Sequence, residues 1–321
     1  MQRSGVARSA SGQRSRGRSR IRSLSEVVEV RSIGPAATRQ VGVRRSWQPS
    51  VPLLLAAPLL LFMLAFYAVP VLSMLMRSVN DPAWTLSHYA SLTGDTVFLK
   101  VLSNTLYTSL IVTLGALVLG YPVALSLVRA PRFAPVILIL ILLPFWTSVL
   151  VRSYAWMVLM GRHGLINEAL LAVGMIDRPL RILNTPLATR IAMIHILLPY
   201  MVLPIANALR QIDPSLARAS SGLGATPGAT FRQITLPLSM PGVAAGVLLV
   251  FVLALGFYIT PAMLGGPREI TLSMLIAQQV DQLNWAYAAT LSAVLLATTL
   301  AIIAAFYRLP GVGNALRMSA R

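Results

Sequence analysis

Apolar residues in this chain come in long runs free of charge. No Asp, Glu, Lys or Arg occurs from Ser46 to Met76, from Val101 to Val128, from Phe133 to Val151, from Ile191 to Leu209, from Gln233 to Pro267 or from Gln282 to Tyr307. The hydrocarbon core of a bilayer is about 30 Å thick, and a helix needs about 20 residues to cross it. The runs predict six spanning helices, at roughly 51–76, 103–128, 134–158, 188–208, 242–265 and 286–307. Helix is favoured over strand because a helix pairs every backbone polar group within its own segment, and lipid offers no other partner. The runs also lack the alternation of a lipid-facing barrel strand. They contain Pro58, Pro70, Pro122, Pro144, Pro199, Pro204 and Pro261, which would damage soluble helices. Membrane helices tolerate such prolines, because neighbouring groups take up the freed hydrogen bonds.

Composition agrees with an all-α membrane protein. Of the 321 residues 56% are hydrophobic and 11% charged, with a mean hydropathy of +0.73, against about 25% charged residues in ordinary soluble domains. There is no cysteine, which excludes disulfides and thiolate chemistry. His88, His163 and His195 have no metal-ligand spacing, so no metal site is expected. His195, in the fourth run, reads as a hydrogen-bonded helix residue rather than a ligand.

The net charge of +18 is unevenly placed. Residues 1–50 hold eleven Arg and two Glu, in an Arg- and Ser-rich stretch with no apolar period. That stretch is expected to be a disordered tail rather than a nucleic-acid binder. Three functional readings of it stay open beside a plain solvated tail: binding of anionic headgroups, an organellar transit peptide, and a twin-Arg signal at Arg44-Arg45. With both termini in the cytoplasm, the inside segments carry 19 of the 27 Lys and Arg. The positive-inside bias therefore favours that orientation.

The segment 211–241 is the longest loop on the inner side of the core. Asp213 suits a helix N-cap and Pro214 the first helical position. Residues 215–222 are small apart from Leu216 and Arg218. Gly224 suits the left-handed residue that closes a helix. A second short helix is expected at 227–234, stopped before Leu236-Pro237. A short helix with small side chains on the membrane surface lets a partner approach closely.

This loop resembles the signature loop of binding-protein-dependent ABC importer permeases, E-A-A, three residues, G, nine residues, I-x-L-P. Arg218-Ala219-Ser220 occupies the triplet, Gly224 follows after three residues, and Ile234, Leu236 and Pro237 come in register. Arg218 stands where the family has Glu, and Ser220 where it has Ala. Residues 143–167, 198–213 and the stretch from Asn104 look like permeases of the spermidine/putrescine type, so the resemblance covers about 101–308. It implies a six-helix type I importer permease fold in the bacterial inner membrane. It also implies that the loop docks on an ABC ATPase dimer, and that the pore lies between this chain and a second homologous permease. Substrate, a polyamine or related amine, would arrive on a soluble binding protein.

ATP would be bound by the partner, not here. The one lysine, Lys100, has no glycines before it, so no P-loop G-x-x-x-x-G-K-[ST] exists. Neither G-x-S-x-G nor H-E-x-x-H occurs, and no enzymatic role is expected. The alternative is a secondary carrier or channel not coupled to ATP. Such carriers usually hold intramembrane acids, and the six runs have none.

Candidate pore-lining residues are Thr147, Ser148, Arg152, Tyr154 and Trp156, with Tyr258 and Thr260. Interfacial anchoring explains Tyr and Trp equally well, and helix-packing hydrogen bonds explain Thr and Ser. The outward acids Asp81, Asp95, Glu168, Asp177, Glu269 and Asp281 read as solvated loop charges.

Overall fold

A computed structural model of the chain describes residues 51–80, 84–267 and 269–308. The expected tail over 1–50 and the segment after 308 lie outside the described residues. The chain divides at Ala56: of the first unit 51–56 is described, and the second, from Ala57 onward, holds the remaining elements.

The described residues are helical throughout apart from turns and one isolated bridge, between Asn80 and Trp84. α1 (Val51–Met63) passes through a π turn, Leu64–Ala68, into α2 (Val69–Arg77). The short α3 (Ser87–Gly94) leads to α4 (Thr96–Arg129), whose first turn is capped by Asp95, accepting from the Val97 N–H at 2.8 Å. α5 (Ala134–Leu142), a 3-10 turn (Leu143–Trp146) and α6 (Val149–Leu159) follow, then α7 (Leu165–Ala172) and α8 (Pro186–Arg210). α9 (Pro214–Gly222) and α10 (Pro227–Thr230) precede a π turn, Phe231–Thr235, and α11 (Leu236–Leu255). α12 (Ile259–Leu264), α13 (Leu272–Asp281) and α14 (Trp285–Arg308) complete the described chain.

Among the described residues, five helical stretches are long and apolar enough to cross a membrane: Leu55–Arg77, Thr96–Arg129, Pro186–Arg210, Pro227–Leu255 and Trp285–Arg308. The pair Ala134–Trp146 and Val149–Leu159 passes the same length and hydropathy test only when taken together, and makes a sixth crossing if it is one broken span rather than a re-entrant loop. α8 is central, with half of its apolar window buried, whereas none of the Leu55–Arg77 window is. The core lies among α4, α8 and α11, around Val112, Met193, Leu197, Met201, Ile205 and Val250. Small residues permit that packing. A Cβ on Gly242 of α11 would stand 2.5 Å from the Ala208 Cβ and 2.6 Å from the Pro204 carbonyl oxygen of α8. Close backbone approach takes the place of the hydrophobic effect, which does not drive helices together in lipid.

The stripe Thr105, Ser109 and Thr113 on α4 is buried, each hydroxyl donating to the carbonyl four residues before it. Thr105 Oγ1 also accepts from the Leu272 N–H at 2.8 Å, and Asn104 Nδ2 donates to the Ile270 carbonyl at 3.1 Å. The start of α13 is thereby fixed to α4.

Three expected elements are corrected. The continuous helix over 134–158 is broken at Thr147-Ser148, and its halves meet at 104°. Ser148 has ψ of 144° and its hydroxyl accepts from the Leu150 N–H, so it caps a new helix rather than continuing the old one. The span expected at 242–265 starts earlier and ends at Leu255; Gly256, Phe257 and Tyr258 separate it from α12, which has Tyr258 at its N-cap and contains Thr260. The helix expected to stop before Leu236-Pro237 runs through it. Its π turn sits just ahead of Pro237, as the first π turn sits just ahead of Pro70. A proline cannot donate to the carbonyl one turn back, and a locally widened turn absorbs the mismatch without ending the helix.

Candidate functional site

Two places carry the polar residues singled out in the sequence: the helix α9 between the fourth and fifth spans, and the break between α5 and α6.

α9 is defined at both ends by its own residues. Asp213 Oδ1 accepts from the Ser215 N–H at 2.7 Å, and Pro214 takes the first position. The Ser215 backbone N–H, then its side chain, hold the Asp213 carboxyl below the usual carboxylate range, and the nearby Arg218 guanidinium adds to this. Leu223 caps the other end and Gly224 has φ of +83°. The Gly224 N–H donates to the Ser221 carbonyl at 3.0 Å and the Ala225 N–H to the Ser220 carbonyl at 3.1 Å. This is the paired closure of a Schellman end, which needs a left-handed residue at that place.

Little of this chain covers α9. Asp213, Pro214, Arg218 and Ala219 are exposed, Leu223 is 89% exposed and Leu216 42%. A Cβ placed on Gly222, Gly224 or Gly228 would meet nothing within 4 Å. Ser220 is the tether: its hydroxyl lies 2.8 Å from the Thr230 hydroxyl of α10. α10 runs without a break through Ile234, Leu236 and Pro237 into the span Pro227–Leu255. α4 holds the start of that span, since Tyr121 stacks edge-on against Phe231 at 5.9 Å and its hydroxyl lies 2.9 Å from Ser239 Oγ. Thr230, Tyr121 and Ser239 were not candidates in the sequence. Nothing in their spacing marks them, because their partners come from other helices.

At the break, most of the candidate pore residues have local work. Thr147 Oγ1 donates to the Pro144 carbonyl at 2.8 Å and Ser148 caps α6. Thr260 is fully buried, 2.7 Å from Ser153 Oγ, joining α12 to α6. Trp156 donates from Nε1 to His195 Nδ1 of α8 at 3.2 Å, with the rings edge to face at 5.4 Å. Tyr154 and Tyr258 remain exposed, by 55% and 43%. Arg152 is half-buried and its Nε has no hydrogen-bond partner. The break thus brings Arg152, Trp156 and His195 together and leaves Tyr154 and Tyr258 facing outward.

The sequence placed His195 in a helix as a hydrogen-bonding residue without showing its partner. Sequence reasoning missed Tyr200, whose ring lies 5.6 Å from Phe145. It missed the break itself, although Leu143-Pro144 followed by Thr147-Ser148 is a stop signal followed by a cap signal. A cavity of about 280 Å³ opens beside His195, walled by apolar residues of α4, α5 and α8 such as Val123, Ile141 and Leu198. Near the other end of α8, Arg190 lies over the Tyr107 ring, 4.9 Å from its centroid. Glu269, expected as a solvated charge, is partly buried. Burial pushes its carboxyl above the usual range, and the Arg190 charge opposes that. Among the described residues no cluster of His, Asp and Glu could hold a metal ion.

Residues 50–309 match the family described as "Binding-protein-dependent transport system inner membrane component". The spermidine/putrescine transport system permease protein PotB of Salmonella typhimurium is 39% identical over 211 residues, 65% of this chain and 73% of that protein. PotB of Haemophilus influenzae is 34% identical over 245 residues, 76% of this chain and 81% of that protein. The inner membrane ABC transporter permease protein YdcU of Escherichia coli is 31% identical over 250 residues, 73% and 79% of the two chains. In structure the chain is similar to a bacterial ABC transporter involved in import of the acidic polysaccharide alginate, with a TM-score of 0.69. That likeness covers 82% of this chain and 96% of the other at 19% identity, which speaks to the fold alone.

Proposed function

The chain belongs to the family of binding-protein-dependent transport system inner membrane components, and on that premise we propose that α9 is its docking helix for a separate ATPase. The chain is a permease subunit of an ABC importer in the inner membrane. In the proposed cycle an ATPase dimer binds α9 from the cytoplasm, and this chain and a second permease enclose the pore. A soluble protein delivers the solute from outside, so ATP is bound and split on the partner.

The observation that carries this reading is the state of α9. It is closed at both ends by its own sequence, open along Leu216, Arg218, Gly222 and Leu223, and tied through Ser220 and Thr230 to a 29-residue helical stretch. A helix that costs the chain its caps yet packs on little of it is built for another molecule. Displacing α9 would bear on α10 and hence on α11, which packs on α8 and α4. The coupling is then a free energy shared between two sites on different chains.

For the solute, the names of the similar permeases favour a polyamine or a related amine. The break supplies aromatic rings suited to a cation, Trp156, Tyr154, Phe145 and Tyr200. It supplies no carboxylate, so selectivity would rest mainly on the binding protein.

Gly224→Asp tests the docking role. Asp is among the side chains that enter the left-handed region by hydrogen bonding locally, and Gly224 faces open space. The variant should fold and insert, yet place a carboxylate where the ATPase closes. We expect loss of substrate-stimulated ATP hydrolysis in the assembled complex. Full stimulation in a correctly inserted variant would refute the assignment.

A further inference from the structure

The segment between α6 and α8 contains a feature that transport does not account for. A cavity of about 340 Å³ is lined by Met160, Arg162, Leu180, Arg181 and the backbone turn at Leu183 and Asn184. Both arginines are exposed, and neither has an ion pair or hydrogen bond among the described residues. Two like charges around one cavity repel, and a flexible loop would let them part. Here one buried side chain holds them. Asn167 is 0% exposed, and its Nδ2 donates to the Gly161 carbonyl at 2.9 Å and to the Leu180 carbonyl at 3.1 Å. Its Oδ1 accepts from the Leu180 N–H at 2.7 Å. Gly161 and Leu180 are the residues just before Arg162 and Arg181. The amide therefore fixes the spacing of the two backbone segments that carry the arginines, and Ile182 and Leu183 pack on the buried cluster of Met160, Ala188, Ala192 and Leu264.

We propose that this pocket binds the phosphate of an anionic phospholipid headgroup. Guanidiniums pair with phosphate oxygens in a planar, two-pronged geometry, and a fixed backbone spacing between two of them reduces the freedom lost on binding. The position along the chain suits this: Met160 follows the last residue of α6, and Asn184 precedes Thr185, the cap of α8, a helix long and apolar enough to span. The surroundings choose lipid over a water-borne ligand. The same segment exposes Leu165 by 65%, Val173 by 74% and Met175 by 71%, and apolar side chains beside arginines suit the headgroup and acyl boundary. The proposal does not rest on the ATPase reading, since lipid binding needs no hydrolysis and can be read without it.

The test uses the purified, delipidated complex, titrated with phosphatidylglycerol or phosphatidylcholine and read by native mass spectrometry. Wild type should prefer phosphatidylglycerol. At about 1 kcal/mol per arginine near the surface, Arg162→Ala with Arg181→Ala should weaken phosphatidylglycerol binding on the order of 30-fold and leave phosphatidylcholine unchanged. Both side chains are exposed, so the variant should fold. Asn167→Ala keeps both charges but frees their spacing, and should erase most of the preference. Equal phosphatidylglycerol binding by wild type and the double variant overturns the proposal. So does displacement of the lipid by millimolar inorganic phosphate, which would mark a site for free phosphate. Unchanged lipid binding with lost stimulation by the binding protein would assign the arginines to protein docking instead.

Discussion

At the residue scale, the two ends of α9 show how few side chains fix a short exposed helix. Asp213 and Gly224 act through the backbone, one by accepting the Ser215 N–H, the other by adopting φ of +83°. Both were readable as cap signals, because capping chemistry depends on local sequence. Asp213 also gives the helix a pH dependence with a definite sign. Its folded-state pKa lies below the unfolded one, held down first by the Ser215 backbone N–H. The capping contribution is therefore present above the ordinary carboxylate range, near pH 4, and is lost as pH falls through the lowered folded value. Hydrogen exchange over 215–222, corrected for intrinsic rates, should show increased opening in that acid window. Asp213→Asn still caps but does not titrate, so the extra opening should vanish. Equal acid response in both proteins would remove the charge from the account. Arg218, by contrast, is exposed, and under the proposed docking the ATPase surface facing it would decide its role.

Elements in this chain are interrupted where proline meets a local alternative for the backbone. At Pro70 and Pro237 a π turn carries the helix through; at Pro144 the chain takes a 3-10 turn and Ser148 starts a new helix at 104°. Hydropathy cannot distinguish the two outcomes, because both sides of each proline are apolar. Packing between elements has its own tight points. Gly242→Ala places a methyl group against Ala208 and the Pro204 carbonyl, and should cost about 1–3 kcal/mol through forced separation of α8 and α11. Gly256→Ala meets nothing within 4 Å and should stay within about 0.5 kcal/mol. Thermal unfolding in detergent compares them, and equal melting temperatures would mean that α8 and α11 are not in close contact.

For the whole molecule, the absence of cysteine makes orientation directly measurable. With both termini in the cytoplasm, an impermeant maleimide added to intact cells should label Gln282→Cys and spare Leu223→Cys. Broken cells should show both labelled, and the reverse pattern in intact cells would invert the proposed topology. The sequence by itself determined that the chain is a multi-helix membrane protein and the approximate place of four long helices, near 51–76, 103–128, 188–208 and 286–307, since length and freedom from charge are one-dimensional properties that lipid reads directly. It also determined α9, whose caps lie within a few residues of the backbone groups they satisfy. Only the tertiary structure decided that α8 is central, that Trp156 meets His195 across 39 positions, that Thr260 pairs with Ser153, and that Asn167 ties the backbone at Gly161 to that at Leu180. Those pairings depend on which faces of separate helices meet. In near-uniformly apolar helices, small residues and a few hydrogen bonds make that choice, and their partners lie too far along the chain for spacing to reveal.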